Sequence, residues 1–301
     1  MSEFRCGTVA LLGRPNVGKS TLMNKVIGAK VAIVTPKPQT TRHRILGIFT
    51  DAKSQVIFVD TPGIHKGTKQ LNRNMVRIAY AAAQEADVLA IMQDASRPLD
   101  SATRLLIERF ADGSLKQPRI HVLNKIDLAN RDLLLPRLQE IQRIDPEARA
   151  YVPVSARKGS QINALLGEIR ACLPESPAVY EEDWFTDQSQ RQLAEEYVRE
   201  QVFLGMHQEI PFQTAVQVER FEVGDSGIEI DAVILVGSER HKPMLIGKAG
   251  MGMKRIGTYA RKGLEELLGQ RIYLKLWVKV DADWFDNPGK LVELGLGSDA
   301  S

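Results

Sequence analysis

Gly13-Arg14-Pro15-Asn16-Val17-Gly18-Lys19-Ser20, continued by Thr21, sets two glycines, a lysine and a hydroxyl at the spacing of a phosphate-binding loop. Glycines let main-chain N–H groups close around phosphate oxygens, and a helix opening at the second glycine adds a favourable dipole. In such a loop Lys19 reaches the β- and γ-phosphates while the Ser20 hydroxyl ligates Mg²⁺. The plain alternative is a glycine-rich turn, but eight positions in register between a strand pattern and a helix pattern weigh against it. Further on, Asp60-Thr61-Pro62-Gly63 offers a carboxylate that can hold Mg²⁺ through water and, at Gly63, an N–H for the γ-phosphate. The polar segment Gln39-Thr40-Thr41-Arg42-His43 lies between these motifs. A threonine there can complete the metal's shell only when the γ-phosphate is present, which makes the segment a nucleotide-sensing switch.

The base is read elsewhere. In Asn124-Lys125-Ile126-Asp127 the carboxylate of Asp127 can accept hydrogen bonds from guanine N1–H and from its exocyclic amine. Adenine has no matching pair of donors, and an unpaired buried carboxylate is costly, so the motif selects GTP and GDP over ATP. Asn124 is expected on the opposite side of the base, with the stem of Lys125 over its face. Val154-Ser155-Ala156 can supply a main-chain N–H to the guanine oxygen. The catalytic groups expected are Lys19, Thr41 and Gly63. The position after Asp-x-x-Gly, where a glutamine can orient the attacking water, is Ile64, which cannot polarise water. Hydrolysis must then use the main chain near Thr41, a monovalent cation near Asn16, or groups from a partner. Turnover on the order of 10⁻⁴ to 10⁻² s⁻¹ is expected.

Strands and helices must hold these loops. Apolar strand patterns at 8–12, 44–50, 55–59, 88–92, 120–123 and 151–154 alternate with helical stretches at 18–27, 70–85, 100–111, 131–143 and 161–172. That order predicts an α/β domain, residues 1–173, with a mostly parallel sheet covered on both faces and a ligand at the carboxyl ends of its strands. Two prolines and an acidic run predict a linker at 174–183. Residues 184–285 then read helix, strand, strand, glycine-rich turn, helix, strand: an α+β unit, with 286–301 as a tail. Its turn, Ile246-Gly247-Lys248-Ala249-Gly250, carries the Gly-x-x-Gly of a type II KH domain, which clamps about four single-stranded nucleotides. Lys254, Arg255 and Arg261 on the next helix are the expected RNA contacts, with Arg240, His241 and Lys242 nearby. Trp277 is expected in the core and the Arg42 and Arg44 side chains in solvent or on RNA, while Trp184 and Trp284 have no assigned role.

The 301 residues suffice for two cores, and a net charge of +3 leaves any nucleic-acid contact to local patches. Cys6 and Cys172 fit no metal-ligand spacing and read as reduced thiols. No apolar run approaches the ~18 residues of a membrane span. The reduced thiols point to the cytoplasm, a monomer is expected, and peripheral contact with a membrane surface is left open.

Taken together, 13–20, 39–43, 60–63, 124–127, 154–156 and the Gly-x-x-Gly unit resemble the translation-factor-like GTPases of the Era family over nearly the whole chain. A single phosphate loop argues against relatives with tandem GTPase domains. The resemblance implies a ribosome-assembly GTPase that binds the 3′ region of 16S ribosomal RNA in the small ribosomal subunit. It favours Thr41 over Thr40 as the Mg²⁺ ligand and raises Asn16 as a K⁺ ligand, the alternative being that Asn16 only shapes the loop.

Overall fold

The computed structural model of the chain describes residues 4–65 and 70–296, which fall into two compact units. Residues 4–32, 41–65 and 75–187 form the first; 33–40, 70–74 and 188–296 form the second.

In the first unit β1 (Arg5–Gly13) is followed by α1 (Lys19–Ile27), β2 (Ile45–Asp51), β3 (Ser54–Asp60), α2 (Gln70–Glu85, from Met75 on), β4 (Val88–Asp94), α3 (Ser101–Ala111), β5 (Arg119–Asn124), α4 (Leu134–Ile144), β6 (Ala150–Pro153) and α5 (Ile162–Cys172). The strands make one sheet in the order β2-β3-β1-β4-β5-β6, parallel except for β2 against β3. Strands covered on both faces need apolar residues on both. β1 shows why: Val9 and Leu11 enter one core while Ala10 and Leu12 enter the other. Parallel strands bring their carboxyl ends to one rim, where Gly13, Asp60, Asp94, Asn124 and, beyond β6, Ser155 all stand. Residues 174–183, expected as a linker, lie along the first unit in this structure. Cys6 N donates to Pro174 O (3.2 Å), and Gln55 Oε1 accepts from Val179 N (2.8 Å) and Tyr180 N (2.9 Å). Trp184, half exposed, stacks on Tyr180.

The second unit contains α6 (Gln190–Gly205), β7 (Thr214–Gly224), β8 (Gly227–Val236), α7 (His241–Ile246), α8 (Met251–Leu268), β9 (Ile272–Val280) and α9 (Pro288–Glu293). β7 and β8 form a hairpin closed by Asp225-Ser226, and β9 adds parallel to β8 as an edge strand. A capping box between Ser189 and Gln192 starts α6. α6 and α8 cover one face of the sheet, with Ala194, Val198, Ile256 and Ala260 packed on Ile228, Ile230 and Ala232. α7 and α9 were not expected; six residues are too few to show helical periodicity. α9 lies in the expected tail and buries Leu291, while Trp284 is fully buried, donating from Nε1 to Gln213 O (3.2 Å). No helix among the described residues is long and apolar enough to cross a membrane.

Candidate functional site

The phosphate loop runs from the end of β1 into α1. Gly13 (φ +149°) and Gly18 (φ +100°) occupy backbone conformations that side chains disfavour. A Cβ on Gly13 would also lie 2.6 Å from Met92 O, and one on Gly18 2.3 Å from Asn124 Nδ2. No side chain among the described residues caps the start of α1, so its first N–H groups stay available to an anion. Lys19 is buried, its Nζ donating to Gly13 O (3.4 Å) and Arg14 O (3.3 Å). Burial holds its pKa below the ordinary value, opposed by the charge of Asp60.

Three oxygens converge beside it. Ser20 Oγ donates to Asp60 Oδ2 (2.5 Å), Thr41 Oγ1 donates to the same oxygen (3.2 Å), and the two hydroxyls lie 3.1 Å apart. Asp60 is fully buried and its other oxygen, Oδ1, has no hydrogen-bond partner. Burial pushes this carboxyl up from its ordinary value, with Lys19 and the two hydroxyls pulling it back. A hard divalent cation bound by oxygen would satisfy that orphaned atom and compensate the buried charge, so the residues fit Mg²⁺. Thr41 joins this cluster, whereas Thr40 turns to Thr35 Oγ1 (2.7 Å) and Lys37 O (2.8 Å). Thr61 Oγ1 donates to Leu11 O (2.7 Å), and Ile64 N to Gly13 O (3.0 Å), fixing the Asp-Thr-Pro-Gly turn against β1. A Cβ on Gly63 would lie 2.6 Å from Pro15 N. The Ile64 side chain packs on the core of Ala10, Leu12 and Ala83, so it takes no part in holding water. Arg42 departs from expectation: it is 1% exposed, which removes it from solvent and from RNA. Arg44 is exposed and pairs with Glu85 (3.2 Å).

At the base loops, Asp127 Oδ1 accepts from Ser155 Oγ (2.6 Å), and Ser155 is itself buried. Asn124 makes further contacts beside the base site. Its Nδ2 donates to Val17 O (2.8 Å) and its Oδ1 accepts from Ala156 N (3.0 Å), so the amide braces three loops together. Lys125 (φ +68°) spans from its own loop to the phosphate loop, donating to Asn16 O (2.6 Å) and to Asp94 Oδ2 (2.6 Å). Asp94 is a residue sequence reasoning missed. Burial alone would raise its carboxyl, but hydrogen bonds from Lys125 and Ser96 hold it below its ordinary value. Its signal was positional: it ends β4 directly beside Asn124 of β5. Among the described residues no cluster of three or more His, Cys, Asp or Glu side chains forms a further metal site.

In the second unit α7 ends at Ile246, Gly247 turns at φ +73°, Lys248–Gly250 make one tight helical turn, and Gly250 (φ +76°) opens α8. A third glycine was overlooked, although Gly-x-x-Gly-x-Gly was visible. A Cβ on Gly252 would lie 2.3 Å from Leu245 O, so this glycine lets α8 pack against the preceding turn. Beyond the loop a groove of about 540 Å³ runs between α8 and β9, with Met253, Ile272, Leu274 and Leu276 along it and Lys254, Arg261 and Lys275 at its walls. Arg255 is not brought there; its guanidinium lies beside Gly205 at the end of α6. His241, expected near phosphate, is 6% exposed, its Nε2 lying 3.6 Å from Glu209, whereas Arg240 remains exposed. Trp277, expected in the core, is 39% exposed, because odd-numbered residues of β9 face away from the helices.

A phosphate loop with a guanine-type base loop in one unit and a Gly-x-x-Gly groove in the other define a GTPase joined to a KH domain. Family comparison agrees, with a model of the 50S ribosome-binding GTPases matching residues 8–125 and one of the KH domain matching 209–285. The chain is 42% identical over 307 aligned residues to GTPase Era of Nitratidesulfovibrio vulgaris (strain Miyazaki F), covering 99% of each. It is 43% identical over 298 residues to GTPase Era of Pseudomonas entomophila, covering 98% of each. Two solved structures share its fold at a TM-score of 0.94 and 39% identity, covering 98% of this chain and 100% of theirs. One is a variant of Aquifex aeolicus Era bound to GDP·AlF4⁻; the other is Era with MgGDPNP and nucleotides 1506–1542 of 16S ribosomal RNA. The chain belongs to the Era family of GTPases.

Proposed function

We propose that this chain binds GTP and hydrolyses it slowly, binds the 3′ region of 16S ribosomal RNA in the α8/β9 groove, and assists assembly of the small ribosomal subunit in the cytoplasm. The observation that carries the nucleotide half is the convergence of Ser20, Thr41 and Asp60 beside the buried Lys19. Ser20 and Thr41 would hold Mg²⁺ directly and Asp60 would hold it through water. When bound, the ion supplies charge neutralisation between the β- and γ-phosphates. Lys19 stabilises charge on the phosphate oxygens, and the main chain at Thr41 and Gly63 encloses the γ-phosphate. With Ile64 packed on the core, water is positioned by main chain near Thr41, by K⁺ beside Asn16, or by groups from a partner; equal rates in K⁺ and Na⁺ would remove the second. Asp127, oriented by Ser155, reads the guanine edge. Calorimetry on the magnesium-replete chain tests the core of this reading: heat with GTP and GDP, little with ATP, and a shift toward xanthine nucleotides in Asp127→Asn. No heat from either guanine nucleotide overturns it.

The two activities are coupled in this reading. Segment Ile33–Thr40 belongs to the second compact unit, while Thr41, the next residue, enters the Ser20–Asp60 cluster. Lys37, stiffened between Pro36 and Pro38, donates to the main-chain carbonyls of Phe203 and Met206 at the C-terminal end of α6, where a cation is favoured. Glu200 Oε1 accepts from Val34 N (3.1 Å). Displacing Thr41 on loss of the γ-phosphate therefore pulls on a short proline arm that caps a helix of the KH unit, and linkage requires RNA to alter GTP affinity in return. RNA affinity should differ between GTP analogue and GDP in the parent chain, and the difference should shrink in Lys37→Ala. Equal affinities in the parent refute the coupling and leave both activities standing.

A further inference from the structure

β9 is the edge of its sheet, and its two faces have different compositions. Leu274, Leu276, Val278 and Val280 pack toward the helices, whereas Tyr273, Lys275, Trp277 and Lys279 are exposed on the open face. Both aromatics are 39% exposed, and they stand ~13 Å apart along the strand with a lysine between them. The cross-strand neighbours on this face are Glu229, Asp231, Val233 and Leu235 of β8, in that order; Val233 and Leu235 are buried, so the exposed strip there is β9 itself. One arginine offsets part of the charge at the acidic end. Arg220 of β7 pairs with Glu222 (2.5 Å) and Glu229 (3.4 Å) and lies 4.0 Å from Asp231. Among the described residues, neither Lys275 nor Lys279 is held in an ion pair. Arg271 adds a third cation, its guanidinium 5.2 Å from the centre of the Tyr273 ring. Tyr273 and Lys275 also border the α8/β9 groove, so the groove and the open face meet along the lip of this strand.

We propose that the open face of β9 is a second single-stranded RNA site, continuous with the groove: Tyr273 and Trp277 stack bases, and Lys275 and Lys279 hold the phosphates between them. It rests on the reading of the groove as an RNA site. Aromatic faces alternating with mobile cations match the two features every single-stranded nucleic acid presents, a π-surface and a phosphate, in repeat. The same pattern suits a docked protein strand poorly, because edge lysines repel one.

The test uses the full chain, a segment of about twelve nucleotides from the 3′ end of 16S ribosomal RNA, and its pieces of about four nucleotides, the span a KH loop clamps. Trp277→Ala should weaken the longer RNA roughly tenfold and leave the short pieces that occupy the groove unchanged, whereas Tyr273→Ala, at the lip of the groove, should weaken both. Trp277→Phe and Tyr273→Phe should restore binding. Lys275→Gln with Lys279→Gln should flatten the salt dependence for the longer RNA by about one to two released counterions. In a Trp184→Phe background, Trp277 fluorescence should be quenched by the longer RNA, the buried Trp284 being shielded. Unchanged affinity for the longer RNA in Trp277→Ala, in a chain that still binds GTP and the short pieces, overturns the proposal and leaves the groove intact. A parent chain that binds neither length overturns the groove reading and this one together.

Discussion

The nucleotide site and the α8/β9 groove are built on opposite plans. At the first, Lys19, Asp60, Asn124 and Ser155 are nearly or fully buried, and each polar atom except Asp60 Oδ1 and the Asp127 edge is tied to main chain or to another functional side chain. At the second, Lys254, Arg261 and Lys275 are exposed around an apolar floor. Buried, mutually fixed polar groups discriminate strongly, because a wrong ligand leaves one of them unpaired. Exposed cations on an apolar floor hold a chain by charge and shape and tolerate variation. The contrast teaches that a single substitution should cost far more at the nucleotide site than in the groove.

Lys19→Ala is the strongest way to break that contrast. Removing the buried ammonium takes away stabilisation of charge that develops in the transition state, and kcat should fall by about 10²–10³-fold. RNA affinity measured without nucleotide should not change. A fall below tenfold in single-turnover hydrolysis would mean that main-chain amides carry the charge alone.

A glycine pair sharpens it next. Gly28→Ala places a side chain at φ +81° in open space and should cost ~1–2 kcal/mol from backbone strain. Gly18→Ala, at φ +100°, adds a Cβ 2.3 Å from Asn124 Nδ2. It should cost a further ~1–3 kcal/mol, because the buried amide loses Val17 O. Urea unfolding measures the difference, and guanine affinity should fall only in Gly18→Ala. Equal losses in both variants would show that the Asn124 brace has slack.

How much of this was legible in the sequence follows from the same contrast. Local motifs carry their chemistry in residue type and spacing, so the phosphate loop, Asp60, Asp127 and the strand–helix alternation could be read directly. What could not be read were consequences of tertiary packing. Nothing local to Arg42 says that its guanidinium is buried, and nothing local to Asp94 says that Lys125 comes to rest on it. Asn124 braces three loops only because β5, the phosphate loop and the Ser155 loop end at one rim. Trp277 reads as core because the strand 273–279 alternates only partly, although Lys275 and Lys279 share its face. Alternation of burial there comes from α8 covering one face alone.

The groove's own test is smaller. Lys254→Ala and Arg261→Ala should each weaken RNA binding severalfold, uniformly across sequences, and lower the salt slope by about 1. GTP binding should stay as it was. Arg255→Ala, outside the groove, should leave RNA affinity unchanged; a loss equal to that of Lys254→Ala would place the RNA path over the start of α8 instead.

The smallest effect lies in the frame that supports the groove. Glu195 on α6 accepts from Val218 N (2.8 Å) at the start of the β7 bulge. Burial pushes its carboxyl up from an ordinary 4.5 to about 7, with the Val218 N–H and Arg191 opposing and Glu196 reinforcing the shift. The folded state therefore holds a proton that the unfolded chain has released over that interval. Between about pH 4.5 and 7 the stability contributed by this group falls as pH rises, and above pH 7 it is flat. Asp145 works the other way. Buried against His121 and Arg119, it is held down at about 2, so its contribution is complete above the ordinary carboxylate range and is lost only in acid. Glu195→Gln keeps an acceptor for Val218 N without a charge to bury. It should leave stability near pH 5 unchanged, raise it modestly at pH 8, and remove the slope between them, as read by thermal unfolding across that range. The nucleotide site should register nothing, since Glu195 belongs to the other unit; a slope that survives the substitution would assign the titration to another buried group.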